Sequence, residues 1–179
     1  SPEGIERLGG IDFDEAVFAH VRQAVGDALD RLDPEEPAAQ AAVARLRQEC
    51  IDAKEALSSD TDVSIPVLLP NLQTEVRLTR SEYEQMVRPA LADSITATNR
   101  ALRSAGVAPD DVTAVLLVGG SSRTPLVAEL VGTALGRPVA VDAHPKHGVA
   151  LGASILAAQR GNAPAAGGTP QEVEAHAVN

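Results

Sequence analysis

The sequence predicts an α/β fold with an appended α+β subdomain. Two strand–helix alternations lie near the C-terminus, and a mostly helical block with one β-hairpin precedes them. The first alternation is VLLVGGSSRTP at 115–125, where an apolar run meets two glycines and then Thr124-Pro125, a helix-start signal. Such a short apolar run predicts a strand buried on both faces. Its glycine turn is expected at the edge of a parallel sheet, where ligands bind.

Two amphipathic helices are predicted in the first third of the chain. Apolar residues at helical spacing indicate a helix over 12–32, which prolines stop, and a second helix over 38–57. Asp12 and Glu15 resemble a capping pair at the start of the first helix. Asp12 and Asp14 are interpreted as capping residues rather than as a catalytic pair of carboxylates.

The middle of the chain predicts a hairpin followed by a helix. Apolar residues alternate with polar ones over 63–78, around a Pro-Asn turn. Thr79 and Glu82 have the spacing of a capping box, so a helix is expected to begin next to them. Pro89 is expected to kink or split this helix, and Gly106 is a suitable residue to end it.

The last part of the chain predicts the second strand–helix alternation. The helix that follows Pro125 is expected to end at Gly136. A short strand is predicted over 138–141 and a last helix through 149–156. Residues 161–179 lose periodicity and are interpreted as a flexible tail or linker.

Composition excludes several functional classes. The 25 acidic and 15 basic residues give a net charge of −10, so we expect no nucleic-acid partner. The single cysteine, Cys50, forms no internal disulfide and offers no metal-ligand spacing, and it is interpreted as a packed thiol. No apolar run reaches about 18 residues and no signal peptide is visible, so we expect a cytoplasmic protein without a membrane segment.

The glycine loop contains the candidate binding groups. Gly119 and Gly120 let the backbone approach a flat ligand or adopt a positive φ. Arg123 carries a planar guanidinium that can stack on a purine, and Ser121 and Ser122 offer hydroxyl groups. On these residues alone, a ligand cradle and a plain strand-to-helix turn both remain open.

Five stretches resemble the seventy-kilodalton heat-shock chaperones of DnaK type. They occur in the family's order and at nearly its spacing, over roughly residues 8–160. The stretches are LGGIDFDEAVFAHV at 8–21, RLRQECIDAKEALSSDTDVSI at 45–65, LTRSEYEQMV at 78–87, VLLVGGSSRTPLV at 115–127 and HPKHGVALGASILAA at 144–158. VGGSSR together with AKEALSS is a specific pairing. It disfavours the wider actin-like group of sugar kinases and filament proteins.

The resemblance implies the second lobe of an actin-like (ribonuclease H-like) nucleotide-binding domain. Its lower subdomain would be 8–37 with 106–160, its upper subdomain 38–105, and 161–179 a tail. Adenosine of ATP or ADP would lie between the AK helix and the glycine loop, on Lys54, Ser58, Gly119, Gly120, Ser121 and Arg123. The resemblance assigns no catalytic residue and no metal ligand to this chain. Implied partners are the remainder of the nucleotide-binding domain, which would supply magnesium, and cochaperones or an exchange factor.

The sequence departs from the family at three places. Ile51 stands where the family usually has a glutamate that reaches the ribose, and Glu55 replaces a basic residue that sandwiches the adenine. Lys146 and His147 replace an acidic pair. The family's first lobe and substrate-binding β-domain are not recognised, so we expect a fragment that does not hydrolyse ATP alone. The alternative is a degenerate actin-like module that serves as a protein-interaction or regulatory domain, with little or no nucleotide binding.

Overall fold

Helices and strands alternate as expected for a mixed α/β protein. The structure, a computed structural model, describes residues 5, 8–141 and 148–161. Its elements are α1 (Gly10–Val25), α2 (Pro37–Ala56), β1 (Asp62–Leu69), β2 (Leu72–Thr79), α3 (Arg80–Ala105), β3 (Val115–Leu117), α4 (Pro125–Leu135), β4 (Val139–Val141) and α5 (Gly148–Gly161). Short 3-10 turns cover Gly26–Ala28, Pro109–Asp111 and Gly120–Arg123. The interpretations of Lys146, His147 and residues 162–179 lie outside the described residues.

Helix α1 is shorter than predicted. The Asp12 carboxylate accepts a hydrogen bond of 2.8 Å from the Gly9 backbone N–H and so caps the first turn. The predicted end of the helix at Leu32 is wrong, because Gly26 adopts a φ of +62° and breaks the helical path. Glu15 takes no part in the cap, since it forms an ion pair with α2.

The predicted hairpin is confirmed. Strands β1 and β2 are antiparallel, with Asp62 opposite Thr79 and Leu69 opposite Leu72, so a two-residue turn connects them. The apolar residues Ile65, Val67, Leu69, Val76 and Leu78 are all buried, in the alternating pattern of a sheet with one face on the core.

Helix α3 begins at the predicted capping box and continues through its proline. The Glu82 backbone N–H donates to the Thr79 hydroxyl, and the Thr79 N–H donates to the Glu82 carboxylate at 2.8 Å. Of the two predicted effects of Pro89, the split is wrong, because one helix runs across it, while the kink stays a prediction. Buried Val87 and Leu91 on either side of the exposed proline hold both halves against the core, which compensates for the missing backbone hydrogen bond.

The β3–β4 pair is parallel, with Val115 opposite Val139. The prediction that β3 is buried on both faces is wrong, because Leu116 is 64% exposed and Val118 is 52% exposed. In the described ranges β3 pairs with β4 alone. Gly132 of α4 packs close to Val139, while the face that carries Leu116 is uncovered.

One buried cluster joins the first half of the chain to α4. It combines side chains from α1, α2, both hairpin strands and α3 with Leu126 of α4, which is fully buried. Apart from Phe13, Phe18 and Tyr83 it consists of aliphatic side chains and Cys50. Within the described ranges, no helix is both long and apolar enough to cross a bilayer.

Candidate functional site

The turn between β3 and α4 is built by glycine backbone and by one internal serine. Gly119 has a φ of +93°, which side chains rarely allow, so a glycine is required there. The next four residues form the 3-10 turn, and the chain enters α4 at Pro125 as predicted. Ser122 is buried and its hydroxyl donates to the Gly119 carbonyl oxygen at 2.6 Å. The Ser122 proton is therefore used within the turn, and the suggestion that its hydroxyl serves a ligand stays a prediction.

A cavity of about 570 Å³ lies between this turn, the end of α2 and the start of α1. It is lined by Gly10, Lys54, Glu55, Ser58, Ser59, Gly120, Ser121, Ser122, Arg123, Thr124, Pro125, Ala128 and Val141. Five of the six predicted site residues are in this set, and Gly119 adjoins it. The volume falls in the range of about 300–1,000 Å³ that is typical of small-molecule sites. We call this cavity the cleft.

Lys54 is not a solvated surface lysine. Its ammonium lies 2.5 Å from the Asp14 carboxylate, and the two side chains are 14% and 22% exposed. It also donates a long hydrogen bond of 3.5 Å to the Gly10 carbonyl oxygen. Asp14 is therefore the ion-pair partner of Lys54 and not a cap, which corrects the interpretation made from the sequence.

Asp14 is the residue at this site that sequence reasoning missed. A signal was present, because Asp14 stands three residues before Val17 and seven before Val21, on the apolar stripe of α1. A charged residue on such a stripe needs a partner of opposite charge. The helix pattern could not identify that partner, since Lys54 is 40 positions away in sequence.

The start of α1 packs closely on the cleft. A Cβ atom added at Gly10 would lie 3.4 Å from the Ser121 hydroxyl oxygen and 3.7 Å from the Lys54 ammonium. Around Gly120, in contrast, nothing lies within 4 Å of such an atom. The backbone of Gly120 is thus open to a flat ligand, whereas a side chain at Gly10 would contact Ser121 and Lys54.

Of the two departures from the family pattern that the structure describes, one lies at the cleft and the other does not. Glu55 lines the cleft, but Ile51, half-buried on α2, is not among the lining residues. Among the residues that the structure describes, no three His, Cys, Asp or Glu side chains are grouped as a metal ion would require. The cleft offers hydroxyl groups, the Lys54 ammonium paired with Asp14, the Arg123 guanidinium and the Glu55 carboxylate.

Comparison with known families gives the class of protein. A family model described as Hsp70 protein matches residues 2–164, so the chain belongs to the Hsp70 family, as the resemblance predicts. Among curated proteins it is 37% identical over 164 residues to the chaperone protein HscA homolog of Burkholderia multivorans, covering 89% of this chain and 25% of that protein. It is 41% identical over 154 residues to the HscA homolog of Pseudomonas putida, covering 86% of this chain and 23% of that protein.

A third relative matches this chain with similar identity and over a similar share of its length. The chain is 36% identical over 157 residues to chaperone protein HscA of Escherichia fergusonii, covering 86% of this chain and 23% of that protein. The chain therefore spans about a quarter of the length of these relatives.

Proposed function

We propose that this chain provides the adenosine-binding half of the nucleotide cleft in an Hsp70-family ATPase. One observation supports the proposal most strongly. Two segments that are far apart in sequence, the end of α2 and the turn after β3, line one cavity of about 570 Å³. These are the segments in which the resemblance implies adenosine contacts.

Each lining group has a role in this proposal. Arg123, which is exposed at the mouth of the cleft, stacks on the adenine ring, while Ser58 and Ser121 hydrogen-bond the base or the ribose. Lys54 donates to a ribose hydroxyl, and the open backbone at Gly120 lies against the nucleoside. ATP or ADP would supply the adenosine.

The proposed architecture follows from the same assignment. The chain would be the second lobe of an actin-like domain, with 8–37 and 106–160 as the lower subdomain and 38–105 as the upper one. Hydrolysis would need the remainder of the nucleotide-binding domain with its magnesium, because phosphoryl transfer depends on groups around the γ-phosphate. Cochaperones or an exchange factor would bind the complete protein, whose cytoplasmic location stays a prediction.

Titration of the 179-residue chain with ADP tests the proposal. We expect saturable binding, with amide shifts in the NMR spectrum at Gly120, Arg123 and Lys54, and no ATP hydrolysis. Arg123→Gln should weaken ADP binding about tenfold, since a guanidinium–ring contact contributes roughly 1–2 kcal/mol. Arg88→Gln, an exposed arginine on α3 away from the cleft, should leave binding unchanged.

The alternative function has one observation in its favour. Glu55 places a carboxylate among the groups that line the cleft, at the position where the resemblance implies a basic residue against the adenine. If ADP causes no shift at Gly120 or Arg123, we would discard the nucleotide proposal for this chain. A protein-interaction or regulatory module of the same fold would then be favoured.

A further inference from the structure

A group of polar side chains with little exposed surface adjoins the cleft. Within the described ranges, two buried side-chain atoms lack a hydrogen bond, namely Asp14 Oδ1 and the Tyr83 hydroxyl oxygen. The Asp14 atom lies 2.5 Å from the Lys54 ammonium, so an ion pair, rather than a hydrogen bond, is its polar contact there. Burial raises the pKa of Tyr83, a contact with the Thr124 hydroxyl lowers it, and the charge of Asp14 raises it further.

The cluster connects four segments at one point. Asp14 lies on α1, Lys54 on α2 and Tyr83 on α3, while Thr124 ends the turn that forms one wall of the cleft. Tyr83 is 1% exposed and Thr124 is 5% exposed. Lys54 and Thr124 both line the cleft, so this group of side chains adjoins the ligand space.

The Asp14–Lys54 pair differs from its nearest counterpart. Arg47 and Glu15 join the same two helices at 2.7 Å, but their side chains are 50% and 58% exposed. Exposed pairs contribute little to stability, and removing two charges from water is costly. Stabilisation of the fold therefore explains the partly buried Asp14–Lys54 pair poorly. A role in fixing the Lys54 ammonium beside the cleft explains why the pair lies there.

We propose that Asp14 is a positioning residue for the cleft, which holds the Lys54 ammonium at one point and neutralises its charge there. Lys54 then donates a hydrogen bond to an uncharged ribose hydroxyl instead of attracting a phosphate. Asp14 selects in this way for the nucleoside part of the ligand. The inference rests on the proposed function of the cleft.

Adenosine and ADP are titrated separately into the 179-residue chain. The comparison shows whether Lys54 donates to the ribose or attracts a phosphate. In Asp14→Asn the ammonium is released and no longer neutralised. Adenosine affinity should fall about tenfold, as for a lost hydrogen bond to a charged group. The ratio of ADP to adenosine affinity should rise about tenfold and become more salt-dependent, because a free cation attracts phosphate. Glu15→Gln removes the same charge from the same helix at the exposed pair and should change neither quantity.

A double variant tests whether Asp14 acts through Lys54. In a Lys54→Met background, Asp14→Asn should cause no further change in either affinity or in their ratio. If Asp14→Asn and Glu15→Gln behave alike, or if the effect of Asp14→Asn persists in the Lys54→Met background, the inference is wrong. Should Asp14→Asn fail to fold, Asp14→Glu takes its place, because it keeps the charge but moves the carboxylate by one methylene. Adenosine affinity should then fall again, while the ratio of ADP to adenosine affinity and its salt dependence stay unchanged.

A ligand-free measurement separates this inference from the proposed function. The Lys54 ammonium should exchange its protons slowly and give an NMR signal, assigned by its loss in Lys54→Met. The signal should disappear in Asp14→Asn and persist in Glu15→Gln. If the chain binds neither adenosine nor ADP, the proposed function fails, yet this signal still decides whether Asp14 fixes Lys54. A Lys54 signal unaffected by Asp14→Asn contradicts the inference even where binding is observed.

Discussion

Two carboxylates near the start of α1 show how position along a helix decides the role of a residue. Asp12 and Asp14 are two positions apart, so their side chains point about 200° apart around the helix axis. Asp12 faces the free N–H of Gly9 and caps the helix, whereas Asp14 faces Lys54 of α2. The same residue type is thus a local cap at one position and a tertiary contact at the other.

Cys50 gives a pH-dependent prediction at the residue scale. Burial, strengthened by the nearby carboxylates and opposed by Arg47, raises the pKa of its thiol from 9.0 to about 12. Above pH 9 the unfolded thiol loses its proton while the folded thiol keeps it. The free energy of unfolding should therefore fall between pH 9 and 12, with a slope of up to about 1.4 kcal/mol per pH unit from this group.

Urea unfolding at pH 8 to 11 measures this slope. Cys50→Ala should show a shallower decline than the unsubstituted chain, because the titrating thiol is gone, while the contribution of Tyr83 stays in both. In the folded chain the thiol, which is 1% exposed, should react slowly with a disulfide reagent at pH 8, and rapidly after denaturation. Equal slopes in the two proteins would show that the thiol does not titrate with an elevated pKa.

At the scale of the element, α3 stays helical through a residue that normally ends or kinks a helix. Pro89 cannot donate the backbone hydrogen bond that the helix would direct to Gln85. The capping box at Thr79 fixes the start of α3, and buried side chains on both sides of the proline hold it to the core. Packing therefore overrides the local preference of Pro89.

Pro89→Ala should stabilise the chain. The substitution restores an N–H donor in an exposed part of the helix, and we expect a gain of about 1–3 kcal/mol in the free energy of unfolding, reduced by the greater freedom of the unfolded chain. Ala92→Pro, at an exposed position of the same helix, is the reverse control and should destabilise by about 3 kcal/mol. Chemical denaturation measures both. A destabilising Pro89→Ala would mean that the proline ring itself contributes to the fold.

At the scale of the whole molecule, the two sheets are covered very differently. The hairpin packs one face on α1, α2 and α3, whereas the β3–β4 pair leaves Leu116 exposed in the described part of the chain. Leu116→Lys should therefore change the free energy of unfolding of the 179-residue chain by no more than about 0.5 kcal/mol.

Leu126 is the matched comparison, because it is a leucine of the neighbouring α4 with no exposed surface. Leu126→Ala should lower the free energy of unfolding by about 2–5 kcal/mol, since it leaves a cavity in the shared core. Urea unfolding compares the two variants. A Leu116→Lys variant as unstable as Leu126→Ala would mean that β3 is buried on both faces, as its apolar sequence predicts.

The sequence by itself determined what depends on neighbours along the chain. The β-hairpin around its Pro-Asn turn, the capping box at Thr79 and the helix-ending glycine at Gly106 were predictable, because each depends on a few consecutive residues. The glycine loop was predictable in the same way, and the order of the five family stretches identified the Hsp70 family.

Tertiary structure alone decided which segments meet and which surfaces are covered. The pairing of Asp14 with Lys54, the meeting of α2 with the β3–α4 turn at one cleft, and the exposure of Leu116 all depend on residues far apart in sequence. Hydrophobic periodicity predicts that a residue is buried, but it does not predict which other segment of the chain packs against that residue. The physical reason is that burial and ion pairing are properties of the packed chain, whereas turns and caps are satisfied within a few residues.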